Sequence, residues 1–269
     1  MPSLPPRWHL IEWEDLPFCP SWLRDEATSA LVRGLNFGGW PAAIARTWGP
    51  WLSRQAIHEV TDCCSGGAGP WPGLLARLQA GVCLTDRYPN PRAWDRLAQR
   101  FPGRVRAHPE PVDARNMPPE LGGCWSFFNS FHHFRPCEAR QILGEALARR
   151  CPIAIFEALD RAWSRLLLVL LMPLFVLLTN WVGASPRRLI FTYLVPLIPL
   201  LLLWDGWVSC FRAYTMDEYH QMVAELDPQG QFHWTVGRLR IGWLPASAPY
   251  LLGHPADQQV AGELSGQAP

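Results

Sequence analysis

The stretch Thr61–Gly69, TDCCSGGAG, sets an acid and two cysteines ahead of a cluster of small residues, and the reading of the chain turns on it. The preceding IHEV is short and largely apolar, as a buried strand is, whereas the following GPWPGLLARLQAG has helical periodicity. Pro70 and Pro72 stand near the start of that helix and Gly81 just past its end, the placement that helix geometry favours. TDCCSGGAG is therefore a strand-to-helix turn. Glycine lets such a turn bend sharply and approach a ligand closely, and the helix start offers unpaired N–H groups to an anion. Taken alone, an ordinary βα turn reads the same way. No Lys-Ser/Thr pair follows the glycines, so this is not a Walker A loop, and the spacing departs from GxGxxG. Asp62 at the strand end would repel a pyrophosphate. It suits a zwitterionic amino-acid group, which needs a cation partner as well as an anion site.

The surrounding chain repeats the alternation. IHEVTDCC, GVCLTD, RVRAHPEPVD, CWSFFNSF and PIAIFEA read as strands, with PRAWDRLAQRF and CEARQILGEALARR among the helices between them. This order predicts βαβ units and a mostly parallel sheet, an α/β fold. Asp86 ends the second strand, 24 residues after Asp62, where an acid can accept from both hydroxyls of a ribose. Asp113 ends the third, placed to accept from an adenine amino group, and FFNSFHHF ends the fourth. Three acids at three successive strand ends make a pattern that none of them makes alone.

That pattern resembles the class I S-adenosylmethionine (SAM)-dependent methyltransferases. TDCCSGGAG is similar to their first motif, D-x-x-x-G-x-G, with Asp62, Ser65, Gly66 and Gly67 in matching places; LTD resembles the second with Asp86, PVDA the third with Asp113, and FNSFHHF the fourth with Asn129, His132 and His133. The departures are Cys64 and Ala68, where glycine is usual. The resemblance covers roughly residues 55–158 and, more loosely, 214–253. It implies a Rossmann-like seven-stranded sheet with helices on both faces and the donor SAM across the strand C-termini. Asp62, Ser65, Gly66 and Gly67 would cradle the methionine portion, Asp86 the ribose and Asp113 the adenine, with Asn129 a further cofactor-binding residue. His132 or His133 is the candidate catalytic base, needed if the acceptor is a hydroxyl; the plainer reading is a packing pair at a helix start.

Residues 159–213 interrupt the rhythm. LLLVLLMPLFVLLTNWV (166–182) and LIFTYLVPLIPLLLLW (189–204) are joined by GASPRR, and the α/β pattern then resumes with YTMDEYHQMVAEL, whose Thr215 and Glu218 form a capping-box signature. A spanning helix needs about 20 apolar residues; these segments are shorter and carry Pro173, Pro196 and Pro199. The expectation is an inserted apolar helical hairpin lying at a membrane interface, with Arg187 and Arg188 near headgroups. A homodimer that buries the same block is the alternative. Charged residues are only 17% of the chain, against about 25% in ordinary globular domains, which fits a surface that does not face water.

The domain plan is an N-terminal helical cap at 1–54, rich in tryptophan, a methyltransferase domain at 55–253 with 159–213 inserted, and a disordered tail at 254–269. The net charge of +1 removes the electrostatic case for nucleic acid. The eight cysteines include no CxxC and the histidines no HExxH, so neither a disulfide framework nor a metal is expected, and a cytoplasm-facing domain is. No secretory signal is read in MPSLPPRWHLIEWEDLP. The reading is a membrane-associated, SAM-dependent methyltransferase for a hydrophobic small molecule or lipid. Its rivals are a non-catalytic anchored module of the same fold and a soluble dimeric enzyme for a small metabolite.

Overall fold

The computed structural model describes residues 6–181, 184–241 and 246–259. Two helices, α1 (Ser21–Phe37) and α2 (Trp40–Arg54), lead into β1 (Glu59–Cys63), a short α3 (Trp71–Leu75) and β2 (Gly81–Leu84). Next come α4 (Pro91–Arg100), β3 (Val105–Ala107), β4 (Cys124–Phe128), α5 (Pro136–Ala148) and β5 (Ile153–Phe156). After the apolar segment, a helix at Met216–Leu226 precedes the strands β6 (Phe232–Ile241) and β7 (Ala246–Pro255).

The strands form one sheet in the order β3-β2-β1-β4-β5-β7-β6. The first five are parallel, and β7 is antiparallel to both β5 and β6. Alternation along β4 sorts the core, because successive side chains leave a strand on opposite faces. Phe128 packs with Trp40, Trp48, Trp71 and Phe156 on one face, whereas Phe127 packs with Phe131, Ile142, Ile155 and Tyr219 on the other. Segment 1–54, drawn as a cap, thus supplies tryptophans to the sheet's own core through α2. The capping box at Thr215 forms: its hydroxyl accepts from the Glu218 amide (3.2 Å), and Glu218 accepts from the Thr215 amide (2.7 Å).

Three expectations change. The helix after the glycine turn is only five residues long. The third strand stops at Ala107, so Asp113 lies in the loop beyond it rather than at its end. Finally, β7 runs to Pro255 and a 3-10 turn covers Ala256–Gln259, so the chain is ordered past the expected start of the tail; residues 260–269 lie outside the described residues.

The apolar segment is more broken than a two-helix hairpin. In chain order it holds α6 (Trp163–Val169), α7 (Met172–Thr179), α8 (Pro186–Leu189), a π-helical turn at Ile190–Leu194 and α9 (Leu197–Arg212), which makes the helix at Met216–Leu226 α10. The prolines explain the breaks: Pro173 sits in the first turn of α7 and Pro196 caps α9, positions where a missing N–H costs nothing. The chain bends by 72° between the π turn and α9, and among the described residues no single helix is long and apolar enough to cross a membrane. Helix α1 is the shared wall. Its Leu23, Ala27 and Ala30 pack against Val176, Ile198 and Leu201 of the apolar segment, while its Thr28 and Val32 face the cleft described next.

Candidate active site

A cleft of about 380 Å³ opens where the loops leave β1, β2, β3 and β4, the end at which open α/β sheets bind ligands. Its floor is the glycine turn and the loops carrying Asp86, Asp113 and Asn129. Its remaining wall comes from α1 and from the N-terminal stretch that carries His9, Glu14 and Asp15.

The glycine turn keeps a left-handed backbone regardless of side chain. φ is +60° at Cys64, +47° at Gly66, +74° at Ala68 and +43° at Gly69. Cys64 and Ala68 therefore hold a conformation that glycine holds without cost, at a penalty of roughly 1–2 kcal/mol each. Ser65 staples the turn to the next strand. Its hydroxyl donates to the Asp62 carbonyl (2.9 Å) and accepts from the Thr85 amide (3.2 Å), and its amide donates to the Thr85 carbonyl (2.9 Å). Beside it, Gly67 lies so close to α1 that a Cβ there would sit 3.4 Å from the Thr28 hydroxyl.

The three acids occupy three different situations. Asp62 belongs to β1 itself and is 2% exposed, off the cleft lining, with Oδ1 accepting from the Ser126 hydroxyl at 2.7 Å. The expected direct contact with the methionine group is thus not what its position offers. Burial raises its pKa to about 7, against the hydrogen bonds that favour the charged form. Asp86 does line the cleft. Its Oδ2 accepts from the Gly66 amide and its Oδ1 from the Tyr88 amide, both at 2.7 Å, which ties the second acid to the glycine turn. Burial raises its pKa despite those two donors. Asp113 also lines the cleft, but Arg115 grips it with Nε on Oδ1 (2.9 Å) and a second nitrogen on Oδ2 (2.5 Å). That bidentate pair holds the Asp113 carboxyl below its usual range. Arg115 also reaches Glu138 at 2.7 Å. Asn129, at φ +50°, lines the cleft while its side-chain oxygen accepts from the Ala158 amide (3.1 Å).

The two histidines separate. His132 is buried off the cleft, with Nδ1 2.8 Å from Glu157 and its amide donating to the same carboxylate at 3.1 Å. His133 stacks on it at 4.5 Å and lines the cleft. Its Nδ1 lies 2.8 Å from Asp15 and 3.4 Å from Glu12. Burial would lower the His133 pKa, but Glu12 and Asp15 overcome it and raise it to about 10. At neutral pH His133 is therefore an imidazolium, which can orient or donate but cannot take a proton. Glu12, His132 and His133 bring one ligand atom each within 4.8 Å of one another. The Arg212 guanidinium already lies 3.2 Å from Glu12 and supplies the positive charge there.

Sequence reasoning drew the N-terminal stretch as a cap but did not single out its lining residues His9, Glu14 and Asp15, or Arg24 on α1. The available signal was WHLIEWED (8–15), in which apolar and acidic residues interleave within a stretch too short for a helix. It also missed Arg115, two residues past the acid that it neutralises.

No protein-family model matches the sequence, and no curated protein matches it at a significant level. Solved structures do match. The chain is similar to the plantazolicin methyltransferase BpumL in complex with S-adenosylhomocysteine (SAH), with 12% identity and a TM-score of 0.56 over 90% of this chain and 92% of that one. It is similar to the O-methyltransferase NcsB1 of neocarzinostatin biosynthesis, solved with SAM and 2-hydroxy-5-methyl naphthoic acid (13% identity, TM-score 0.51, 84% of this chain and 56% of that one). It is also similar to human N-acetylserotonin methyltransferase in complex with SAM (12% identity, TM-score 0.51, 88% and 56%). This chain thus spans just over half the length of the last two. At such identity the likeness is one of fold, and the fold is that of the class I SAM-dependent methyltransferases, as the motif resemblance implied.

Proposed function

We propose that this protein is a SAM-dependent methyltransferase that works at a membrane surface on a hydrophobic small molecule or lipid. The observation that carries the first half is Asp86, fixed on the Gly66 and Tyr88 amides at the mouth of a left-handed glycine turn. Each oxygen of Asp86 keeps a lone pair free, as a ribose diol requires. The cleft volume falls within the range of small-molecule sites. SAM, when bound, supplies an electrophilic methyl group. The chain's own part is to bind, align and exclude water, which needs no catalytic triad. The Ser65–Gly67 backbone would hold the methionine portion, with Asp62 acting through that turn rather than by contact. Asp86 would hold the ribose, the Asp113–Arg115 pair would edge the adenine, and Asn129 would close the methionine side. His133, as an imidazolium, would position the acceptor. Of the structures compared, BpumL and N-acetylserotonin methyltransferase are methyltransferases by name and NcsB1 is an O-methyltransferase, which supports a small-molecule acceptor.

The membrane half rests on exposure. Leu167, Leu171, Leu174, Leu178, Leu194 and Leu200 all stand outside the core. Arg187 and Arg188 are the sole formal charges between residues 166 and 204. Exposed Trp163, Trp181 and Trp204 stand near the segment's turns and ends, where indoles favour the headgroup region. A bilayer surface would cover this face and place the cytoplasm-facing cleft beside it.

Calorimetric titration of detergent-solubilised protein with SAH tests the donor site. One-to-one binding in the micromolar range is expected. A folded sample that does not bind would move the non-catalytic reading to first place.

A further inference from the structure

Every acid that lines the cleft, Glu14 excepted, already has a donor among the described residues. Asp15 holds His133 and Arg212 (2.8 and 2.6 Å), and Asp25 accepts from Asn90 (3.0 Å). Asp86 accepts from two amides, and Arg115 spans Asp113 and Glu138. The donors of the lining are not matched in the same way. Several stand without a partner at the edge where the loop after β4 meets the N-terminal stretch.

Ser130 is 5% exposed and lines the cleft, yet its hydroxyl bonds to nothing among the described residues. A buried hydroxyl ordinarily has a partner, so this one is placed for a guest. His133 turns Nδ1 to Asp15 and Glu12, which leaves Nε2 as its nitrogen for the cleft. Glu14 Oε1 is buried and also unpartnered. Burial, with Asp205 and Glu12 nearby, pushes the Glu14 pKa well up, towards the form whose O–H donates. Arg135 lines the same edge, and among the described residues no acid pairs with its guanidinium. The field there is positive as well: burial, then Arg212, Arg135 and Arg7, lower the pKa of the neighbouring His9 to about 4. Such a donor set suits an oxygen that bears negative charge, because charge-assisted hydrogen bonds are the strong ones. It offers a neutral hydroxyl no base, since His133 keeps its proton and His132 is buried off the cleft.

We propose that this edge of the cleft seats an oxyanion, so that the methyl acceptor is a hydrophobic molecule bearing a carboxylate or an acidic phenol. This rests on the methyltransferase reading above and names the acceptor class. Leu31, Val32, Leu35 and Phe134 of the lining take the apolar body. An oxygen that arrives ionised forms its bond to the methyl carbon as the carbon–sulfur bond breaks and that bond's electron pair leaves on sulfur. The negative charge of the oxygen and the positive charge of the sulfonium cancel, and no proton has to be removed. A cleft whose histidine is already protonated is thus no handicap.

The test uses the full chain in mild detergent, loaded with SAH. The probes are 4-nitrophenol, whose ionised form is yellow, and benzoate with its uncharged counterpart benzamide. Bound 4-nitrophenol is expected to ionise about one pH unit lower than in the same detergent without protein, a preference of about tenfold for the anion. Benzoate is expected to bind about tenfold tighter than benzamide in calorimetry, and the tighter of the two anions tells carboxylate from phenol. Ser130→Ala should weaken benzoate binding by about threefold and His133→Gln by about tenfold, both with SAH affinity unchanged. Should His133→Gln fail to fold, Ser130→Ala carries the test, because it removes only a hydroxyl that has no partner. Benzamide that binds as tightly as benzoate, 4-nitrophenol whose ionisation is not lowered, or no binding of any probe at millimolar concentration would overturn the proposal. Variants that lose SAH instead would also overturn it, since these donors would then belong to the cofactor. SAH affinity of the parent, read first, decides the methyltransferase reading. The probes are titrated without SAH as well, so the oxyanion seat is judged separately.

Discussion

Asp62→Asn offers the sharpest test of how the glycine turn is held. The carboxyl of Asp62 is buried in β1 and its pKa is raised from 3.8 to about 7. A group whose folded pKa lies above its unfolded one contributes stability that is complete below the unfolded value and is lost as pH rises through the folded value. The loss here runs from about pH 4 to about pH 7. Three pH units at about 1.36 kcal/mol each amount to roughly 4 kcal/mol. Asparagine keeps an oxygen to accept from Ser126, and its added N–H₂ returns about 1–3 kcal/mol of the gain if it finds no partner. The variant is therefore expected to be about 1–3 kcal/mol more stable than the parent above about pH 7, and less stable than the parent near pH 4. Urea unfolding in detergent across that range measures it. SAH affinity is expected to hold, because Asp62 lies off the cleft. A variant whose stability changes between pH 4 and 7 with the same slope as the parent's would refute the assignment of a buried Asp62 with a raised pKa.

Three further outcomes follow from the same geometry. Asp86→Ala leaves the Gly66 and Tyr88 amides without their partner and should weaken SAH binding in calorimetry by tenfold or more, about 1.4 kcal/mol, with a stability loss of about 1–3 kcal/mol. Nitrogen-15 histidine spectra should show His133 as imidazolium until near pH 10; the stability it contributes is complete below about pH 6.5 and fades as pH rises through 10, and Asp15→Asn should bring its titration down. Cys64→Gly relieves a left-handed non-glycine residue and should raise the melting temperature, with a gain of up to about 1 kcal/mol; a drop would mean that the thiol's packing outweighs the backbone cost.

The alternation of strands and helices and the place of the cleft were legible because periodicity and turn chemistry are local. Proline before and glycine after a helix, and acids just past strands, mark one end of a parallel sheet whatever the rest of the chain does. Asp86 fell where that logic put it. Asp62 did not, since one residue decides whether a strand-end side chain faces the loop or the neighbouring strand, and Ser126, 64 residues away, makes that choice. The state of His133 was equally out of reach. It is set by Glu12 and Asp15, 118 residues back from His133 in the case of Asp15, and no local pattern couples segments so far apart. The apolar segment announced itself by composition, but its breaks came from prolines that a hydropathy reading treats as interruptions within a span.

The position of α1 limits how this protein can be made tractable at the bench. One face of that helix forms the cleft and the other rests on Val176, Ile198 and Leu201, so the apolar segment is scaffolding for the cleft as well as a surface. Trimming residues 159–213 would strip the backing from Thr28 and Val32 and let the cleft collapse. Changes to this segment are better made residue by residue on its exposed leucines, such as Leu167, Leu178 and Leu194, which lie outside the core.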